Sequence, residues 1–322
     1  MKAVFVDQFG GAEVLTMRDR ELPEPGSGEI AIRQHAIGVN FIDIYHRSGL
    51  YPNPLPLVPG SEGAGEVIAV GPGVSGFKAG DRVAYQGTIG AYAQERILPA
   101  SRAILLPDSI SYETAAAIML KGLTAYYLLF LTWPVRAGET ILFHAAAGGM
   151  GLIACQWAKS IGAKVIGTAG SAEKVALALA NGCDHVINYT EEHFPDRVRE
   201  ITGGKGVDVV YDGVGQATFE PSLDCLRPLG LMVSYGNATG PVSIPDLGIL
   251  ARKGSLFLTR PTGLHYFAER NALVSGAKAL FAAIESGAIK PHIGQTFPLA
   301  EVGDAHRALE GRGTVGSTIL IP

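Results

Sequence analysis

The feature that most constrains the fold of this 322-residue chain is residues 140–171, TILFHAAAGGMGLIACQWAKSIGAKVIGTAGS. A β-favouring run, a glycine-rich turn, an apolar helix and a second β-favouring run follow one another there. Ala146, Gly148 and Gly151 occupy the three small-residue positions of the G-x-G-x-x-G pattern, with Ala146 as a departure from glycine. Such a helix offers free N–H groups and a positive dipole end to a diphosphate. The stretch therefore predicts a dinucleotide-binding unit.

Strands and helices alternate after this turn. β-favouring runs are found at residues 141–143, 164–168, 185–188, 207–211, 231–235 and 255–259. Helical runs lie between most of them, at residues 151–161, 172–180, 194–201 and 217–226. This alternation predicts an α/β fold with a doubly wound parallel sheet.

The remaining parts of the chain follow a different pattern. The first ~120 residues are rich in turns, have β-like runs at 29–33 and 66–70, and show no βαβ alternation. The tail has helical runs near 271–286 and 301–309 and a closing strand at 317–321. Because that strand has no βα partner, we expect it to return to the first domain.

The residues after the second strand indicate which dinucleotide binds. An NAD site has an acidic residue about 20 residues beyond the turn, which bonds the ribose 2′-hydroxyl and would repel a 2′-phosphate. Here the stretch after the second strand, residues 168–171, has no carboxylate, and the first one comes at Glu173. Ser171 can donate a hydrogen bond there, and Lys174 can supply a positive charge. We therefore predict NADPH. Ser171 can also cap the next helix, and Lys174 is equally compatible with a solvated helix face.

Composition excludes several other classes of protein. The net charge is −4 and no basic tract is present, which argues against a nucleic-acid partner. The N-terminal segment MKAVFVDQFGG has no long apolar region, and the apolar stretch 126–131 is too short to span a bilayer. We expect a cytoplasmic protein with no membrane partner. The three cysteines form no C-x-x-C pair, and Cys155 and Cys225 lie in apolar segments that favour core packing.

Seven motifs spread over the chain point to one known family. They are GVNFIDIYHRSGLYP (38–52), GSEGAGEV (60–67), AGDRV (79–83), KGLTAYYLL (121–129), HAAAGGMG (144–151), VVYDGVG (209–215) and FLTRP (257–261). Together they resemble the quinone oxidoreductases of the zinc-free, zeta-crystallin-like branch of the medium-chain dehydrogenase/reductase superfamily. The resemblance implies a β-rich GroES-like catalytic domain of residues 1–122 and 265–322. It also implies a Rossmann domain of residues 123–264, NADPH bound between the two, and a homodimer formed at the edge strand 255–259.

Two positions bear on the presence of a metal. Similar alcohol dehydrogenases hold catalytic zinc through a cysteine and a histidine at the positions of Asn40 and Ser61, neither of which is a plausible ligand. The chain also lacks a lobe of four close cysteines, and its eight histidines form no ligand cluster. Without a Lewis acid, alcohol oxidation loses its main electrostatic stabilisation. We therefore predict that no metal is bound.

The resemblance also implies which residues contact the cofactor. One group is expected on the loop that meets the nicotinamide half, namely Asn40, Phe41, Ile42, Asp43 and Ile44. A second group is expected around the rest of the cofactor, namely Tyr126, Gly148, Gly149, Met150, Gly151, Gly170, Ser171, Lys174, Tyr189, Gly236, Asn237, Thr259, Arg260 and Arg312. For Tyr126 and Thr259, ordinary packing is the alternative. Relatives often have serine at Gly213, so a contact from that side chain is absent here.

The expected chemistry is hydride transfer from nicotinamide C4 to a quinone substrate, which requires mostly positioning and exclusion of water. Asn40, Tyr45 and Tyr51 are candidates for hydrogen bonding to a quinone oxygen, and Asp43 for orienting their loop. One alternative is an NADPH-dependent enone or enoyl reductase, which would recruit Tyr45 or Tyr51 as a proton donor. Another is a non-catalytic NADPH- or RNA-binding protein.

Overall fold

The computed structural model describes all 322 residues, and the chain divides into two compact units. The first unit comprises Met1–Leu123, Phe267–Glu285 and Pro291–Pro322. The second comprises Thr124–Tyr266 and Ser286–Lys290. The first unit is therefore discontinuous in sequence and depends on the chain's return after the second unit.

The N-terminal part of the first unit is mainly β-structure. Its strands are β1 (Lys2–Phe5), β2 (Thr16–Asp19), β3 (Glu29–Val39), β4 (Glu62–Val70), β5 (Arg82–Gln86), β6 (Glu95–Pro99) and β7 (Ala103–Leu105). Its helices are α1 (Phe41–Ser48) and α2 (Tyr112–Tyr126). Ser111 caps α2 by accepting a hydrogen bond from the Thr114 amide at 3.1 Å.

The second unit alternates strands and helices. Its strands are β8 (Thr140–Phe143), β9 (Lys164–Ala169), β10 (His185–Asn188), β11 (Val207–Asp212), β12 (Leu226–Ser234) and β13 (Phe257–Thr259). Its helices are α3 (Gly149–Ile161), α4 (Ala172–Ala180), α5 (Phe194–Ile201), α6 (Phe219–Cys225), α7 (Gly248–Arg252) and α8 (Gly263–Tyr266). All six predicted strands and all four predicted helices are present, with boundaries that differ by a few residues.

The sheet of the second unit confirms the predicted doubly wound α/β fold. Its strand order is β10-β9-β8-β11-β12-β13, and every neighbouring pair is parallel. The carboxyl ends of all six strands therefore lie along one edge. The strand order reverses between β8 and β11, which is where a ligand crevice is expected outside the carboxyl ends. Leu142, Ile166, Val210 and Met232 belong to the apolar core beneath this edge.

The tail completes the first unit. Its elements are α9 (Arg270–Glu285), β14 (Ile293–Pro298), α10 (Val302–Glu310) and β15 (Ser317–Ile321). The first unit's large sheet has the order β14-β15-β3-β4-β5-β7, and β6 also pairs with β3. β15 runs antiparallel to β3, with Thr318 opposite Val39, which confirms the predicted return of the closing strand. β14 was not predicted, because its segment IGQTFP combines few apolar residues with a glycine and a proline.

The apolar helical run around Tyr126 is longer than the sequence analysis expected. α2 continues without a break as a π-helical segment, Tyr127–Thr132. The combined helix, Tyr112–Thr132, has 21 residues and a mean hydropathy of 1.5 in its most apolar window, which is long and apolar enough to cross a membrane. However, 67% of that window is buried inside the protein, as in a core helix. The three cysteines are likewise buried, as free thiols.

Candidate active site

The glycine turn between β8 and α3 has the geometry of an anion-binding helix N-terminus. α3 begins at Gly149 after Gly148, and no side chain caps its first N–H groups. A Cβ atom on Gly151 would overlap the carbonyl oxygen of Ala145, so only glycine allows the helix to pack this closely. The unusual backbone dihedral falls on Ala145, with φ 53°, and not on Ala146. Alanine at the first motif position is therefore compatible with the turn, whose free N–H groups fit a diphosphate.

The predicted 2′-phosphate residues meet at the ends of β9 and β10. Ser171 caps α4, because its Oγ accepts a hydrogen bond from the Lys174 amide at 3.3 Å. The same hydroxyl donates to Glu173 Oε2 at 3.2 Å, which places a carboxylate at this corner. A Cβ atom on Gly170 would overlap the Tyr189 hydroxyl, so the tyrosine lies against the end of β9. The structure thus brings Gly170, Ser171, Lys174 and Tyr189 to one corner of the sheet.

Four of the remaining predicted residues of the second unit lie further along the same edge. Gly236 and Asn237 follow β12, Thr259 ends β13, and the Arg260 guanidinium donates to the Ser234 carbonyl at 3.0 Å. Tyr126 belongs to an aromatic cluster, in which its ring lies 5.4 Å from Phe130 and 6.0 Å from Trp157 between ring centroids. This packing role is the alternative that the sequence left open for Tyr126.

The absence of a side chain at Gly213 has a local cause. A Cβ atom there would lie 2.9 Å from the Tyr235 ring. The tyrosine therefore occupies the space into which a serine would extend.

Residues 40–44 do not form a loop, so the sequence-based assignment was wrong on this point. Asn40 precedes α1, and residues 41–44 form the first turn of that helix. The reason is a cap: Asp43 Oδ2 accepts a hydrogen bond from the Asn40 backbone N–H at 2.9 Å. Phe41 and Ile42 are half-buried, whereas Asp43 and Ile44 are buried.

The two positions that match zinc ligands in alcohol dehydrogenases donate hydrogen bonds to carboxylates. Asn40 Nδ2 donates to Glu62 Oε1 at 2.7 Å, and Ser61 Oγ donates to Asp43 Oδ1 at 2.7 Å. Glu62 is fully buried and also accepts from Lys121 Nζ at 2.8 Å and from the Leu120 amide at 2.6 Å. No group of three or more His, Cys, Asp or Glu side chains is placed to hold a metal ion.

A buried hydrogen-bond chain extends from Asp43 to Arg47 within the first unit. Tyr92 Oη lies 3.0 Å from Asp43 Oδ2 and 2.9 Å from His306 Nε2. His306 Nδ1 lies 3.1 Å from Arg47 Nη1, and Arg47 Nη2 donates to Glu310 Oε1 at 2.6 Å. Arginine can only donate, so His306 Nδ1 accepts and its Nε2–H donates to Tyr92. The Tyr92 hydroxyl then donates to Asp43.

In its ionised form Asp43 accepts a hydrogen bond from each of these partners. Burial raises the pKa of Asp43 to about 7, while hydrogen bonds from Ser61, the Asn40 amide and Tyr92 oppose that rise. Burial, with the nearby charge of Arg47, lowers the pKa of His306 to about 3 and keeps the imidazole neutral. Asp43 is fully buried, and its direct structural effect is to hold the first turn of α1.

No pattern in the sequence pointed to a role for Glu62, Lys121, Tyr92, His306 or Arg47. Glu62, Lys121 and Arg47 lie within quoted motifs, which was the only available signal. Tyr92 and His306 are 214 positions apart, and no local pattern links them.

Tyr45 and Tyr51 lie together beside α1. Their ring centroids are 5.2 Å apart in an edge-to-face arrangement, and the Tyr51 amide donates to the Tyr45 carbonyl at 3.0 Å. Tyr45 is buried and Tyr51 is half-buried, so Tyr51 is the more accessible of the two. Arg312 lies in an exposed turn, with φ 56°.

Comparison with known proteins places this geometry in a family. The family model described as "Alcohol dehydrogenase GroES-like domain" matches residues 26–108, and the one described as "Zinc-binding dehydrogenase" matches residues 149–272. A quinone oxidoreductase from Pseudomonas aeruginosa is 54% identical over 98% of this chain and 97% of its own length. A 2-haloacrylate reductase from a Burkholderia species is 45% identical over 99% of this chain and 98% of its own.

A solved structure extends the comparison to three dimensions. The crystal structure of Escherichia coli quinone oxidoreductase complexed with NADPH covers 100% of both chains, with 51% identity and a TM-score of 0.98. The agreement includes both units and follows the whole sequence, so it concerns more than the Rossmann sheet alone. This chain belongs to the quinone oxidoreductase family of the medium-chain dehydrogenase/reductase superfamily.

Proposed function

We propose that this protein is an NADPH-dependent quinone reductase that transfers a hydride to a quinone without a metal. The observation that carries the proposal is the likeness to the E. coli quinone oxidoreductase complexed with NADPH, at 51% identity and a TM-score of 0.98. A relative that shares half of the sequence and the complete fold is expected to share the reaction class.

The carboxyl edge of the second unit's sheet fits the cofactor. The uncapped N-terminus of α3 would hold the diphosphate through the amides of Gly149, Met150 and Gly151. Ser171, Lys174 and Tyr189 would hold the 2′-phosphate, since Lys174 brings a positive charge there. Glu173 is a carboxylate at this corner, hydrogen-bonded to Ser171. The negative charge of Glu173 should weaken binding of the 2′-phosphate but should not abolish the preference for NADPH.

Bound NADPH supplies a hydride from C4 of its nicotinamide ring. The protein's own task is then to hold the quinone against that ring and to exclude water. Tyr51 is our first candidate for hydrogen bonding to a quinone oxygen, because it is half-buried while Tyr45 and Asn40 are buried. Asp43 is a positioning residue that fixes the start of α1, on which these side chains depend.

The proposal that no metal takes part depends on the donors present. An amide and a hydroxyl stand at Asn40 and Ser61, and both already donate to buried carboxylates. Neither group is a preferred ligand of Zn²⁺, which takes thiolate, imidazole and carboxylate donors. A quinone is electrophilic without a Lewis acid, and its reduced oxygens can take protons from water.

An enone or enoyl reductase is the less favoured alternative. The 2-haloacrylate reductase supports it, but at 45% identity against 54% for the quinone oxidoreductase. A non-catalytic NADPH- or RNA-binding role has no supporting feature beyond the cofactor fold, since the net charge is −4.

We also propose a cytoplasmic homodimer paired through β13. This strand is at the edge of its sheet, and Phe257 on it is 58% exposed. Phe257→Lys should yield a monomer in light-scattering measurements, whereas a wild-type protein that is already monomeric would contradict the proposal.

The function is tested with a panel of acceptors under anaerobic conditions. We expect NADPH oxidation with 1,4-benzoquinones and naphthoquinones after exhaustive chelation, and far slower oxidation with α,β-unsaturated ketones and acids. Turnover confined to the unsaturated carbonyls would favour the enone reductase. NADPH binding with no acceptor reduced would favour the non-catalytic reading.

A further inference from the structure

His144 connects three elements at the carboxyl edge of the second unit's sheet. It follows β8 directly and is 2% exposed. Its Nδ1 lies 3.0 Å from Thr168 Oγ1 on β9, and its Nε2 lies 2.8 Å from Ser222 Oγ on α6. The Phe194 ring packs against it edge-on, at 5.1 Å between ring centroids. Both ring nitrogens are therefore used inside the protein, and none is available to substrate.

The proton positions in this cluster follow from Ser222. The Ser222 hydroxyl lies 2.6 Å from the Thr218 carbonyl oxygen, and two oxygens at that distance need a proton between them. A hydroxyl has one proton, so Ser222 accepts from His144 and His144 Nε2 carries the hydrogen. Nδ1 is then an acceptor, and the Thr168 hydroxyl donates to it. Burial lowers the pKa of His144, opposed by the charge of Asp212, in agreement with a neutral ring.

Thr168 in turn holds the glycine turn. Its Oγ1 accepts from the Ala145 amide at 3.3 Å, and its carbonyl accepts from the Ala146 amide at 2.9 Å. Ala145 has φ 53°, a left-handed conformation that is unfavourable for alanine. Its carbonyl then accepts from Gly148, the residue before α3, at 2.9 Å. Ala145, the strained residue of the turn before α3, is therefore held by Thr168. His144 in turn sets the direction of the Thr168 hydroxyl.

We propose that His144, as the neutral Nε2–H tautomer, is a positioning residue that keeps the Ala145–Gly148 turn in the conformation that binds the cofactor diphosphate. The inference deepens the proposed function and rests on it. Cofactor affinity should depend on an acceptor at the Nδ1 position, because that acceptor orients Thr168. The donor at Nε2 fixes the tautomer but does not touch the turn.

Two variants at this position separate the proposal from a general packing role. In His144→Asn the amide oxygen can take the place of the Nδ1 acceptor, whereas in His144→Gln the longer amide reaches towards Ser222 and leaves Thr168 without its partner. His144→Asn removes more volume from the core than His144→Gln, so a packing role alone would make His144→Asn the more damaging variant. We expect His144→Gln to raise the Kd for NADPH about tenfold, as the loss of one organising hydrogen bond would, and His144→Asn to stay within about threefold of wild type.

A third variant leaves the histidine intact. Thr168→Val keeps the shape of the side chain but removes its hydroxyl, and we expect about a tenfold weaker NADPH affinity. Thr140→Val, at the opposite end of the neighbouring strand β8, is the matched control and should bind NADPH as wild type does. ¹⁵N NMR of histidine-labelled wild-type protein, with the His144 signal assigned from the variants, should show a protonated Nε2 and an unprotonated Nδ1.

Failure of this positioning role can be distinguished from failure of the proposed function. Wild-type protein is measured first, and failure of the wild type to bind NADPH would contradict the proposed function itself. Wild-type binding with unchanged affinity in both His144→Gln and Thr168→Val would overturn the positioning role alone. So would equal losses in His144→Asn and His144→Gln, or an Nδ1–H tautomer.

Discussion

Lys121 Nζ donates to Glu62 Oε1 at 2.8 Å, and this ion pair is closed off from water because the Glu62 side chain is fully buried. The same carboxylate oxygen accepts from Asn40 at 2.7 Å. One buried charge pair thus fixes the orientation of a side chain that we place near the reacting groups.

Removing the positive charge of this pair should destabilise the protein strongly. We expect Lys121→Met to lower the free energy of unfolding by about 3–5 kcal/mol, because Glu62 would remain buried without a counterion. Lys159→Met is the matched control, since Lys159 pairs with Asp184 at the surface and should change stability by less than about 1 kcal/mol. Urea denaturation of the three proteins measures both values. Similar losses in the two variants would contradict a special role for the buried pair.

Asp43 should make stability depend on pH with a defined sign. Its folded pKa is raised to about 7, above the unfolded value near 3.8, so the folded state holds the proton more tightly. The resulting stabilisation is fully present below pH ~4 and is lost as the pH rises through 7. Its size, as a free energy of unfolding, is up to ~4 kcal/mol. Asp43→Asn cannot titrate and should lack this trend.

The Asp43 prediction is checked on the difference between the two proteins. The unfolding free energy of wild type minus that of Asp43→Asn should fall between pH 4 and pH 8. Taking the difference removes the contribution of His306, whose lowered pKa gives the opposite trend below pH 6.5. A difference that is independent of pH would show that Asp43 does not titrate in this range.

Tyr51 is the side chain from which we expect a direct contribution to quinone reduction. Tyr51→Phe should lower kcat/KM for a benzoquinone about tenfold, the effect of losing one hydrogen bond, and leave the Kd for NADPH unchanged. Tyr112→Phe, whose ring stacks on His35 at 4.3 Å between ring centroids, serves as the control with unchanged kinetics. Unaltered quinone turnover in Tyr51→Phe would show that the Tyr51 hydroxyl does not contribute to quinone reduction.

Cofactor preference should depend on the charges after β9. Lys174→Glu is expected to weaken NADPH binding about 30-fold and NADH binding little, because only NADPH carries the 2′-phosphate. Glu173→Gln removes the carboxylate that accepts from Ser171 and should move the preference in the opposite direction. Equilibrium titrations with both cofactors give the ratios, and equal losses for NADPH and NADH in Lys174→Glu would refute the assignment.

The fold was predictable because its signals are local. Alternating apolar runs gave the strands of the second unit, and the glycine turn placed α3 within two residues. α1 was missed because its start depends on the reciprocal contact of Asn40 and Asp43, which resembles a polar loop in sequence. The site was only partly predictable. Residues such as Ser171 and Gly151 carry a recognisable spacing, whereas Arg47, Tyr92 and His306 are joined by contacts between distant parts of the chain.

Anaerobic stopped-flow mixing of the NADPH-loaded, chelator-treated protein with a benzoquinone is the most direct test of metal-free hydride transfer to a quinone. We predict that NADPH absorbance decays at the same rate as one equivalent of hydroquinone forms. We also predict that the rate is slowed by deuterium at the transferred C4 position and is unaffected by the chelator. Two results would contradict metal-free quinone reduction: NADPH oxidation that resumes only after zinc is restored, or no NADPH oxidation with any quinone.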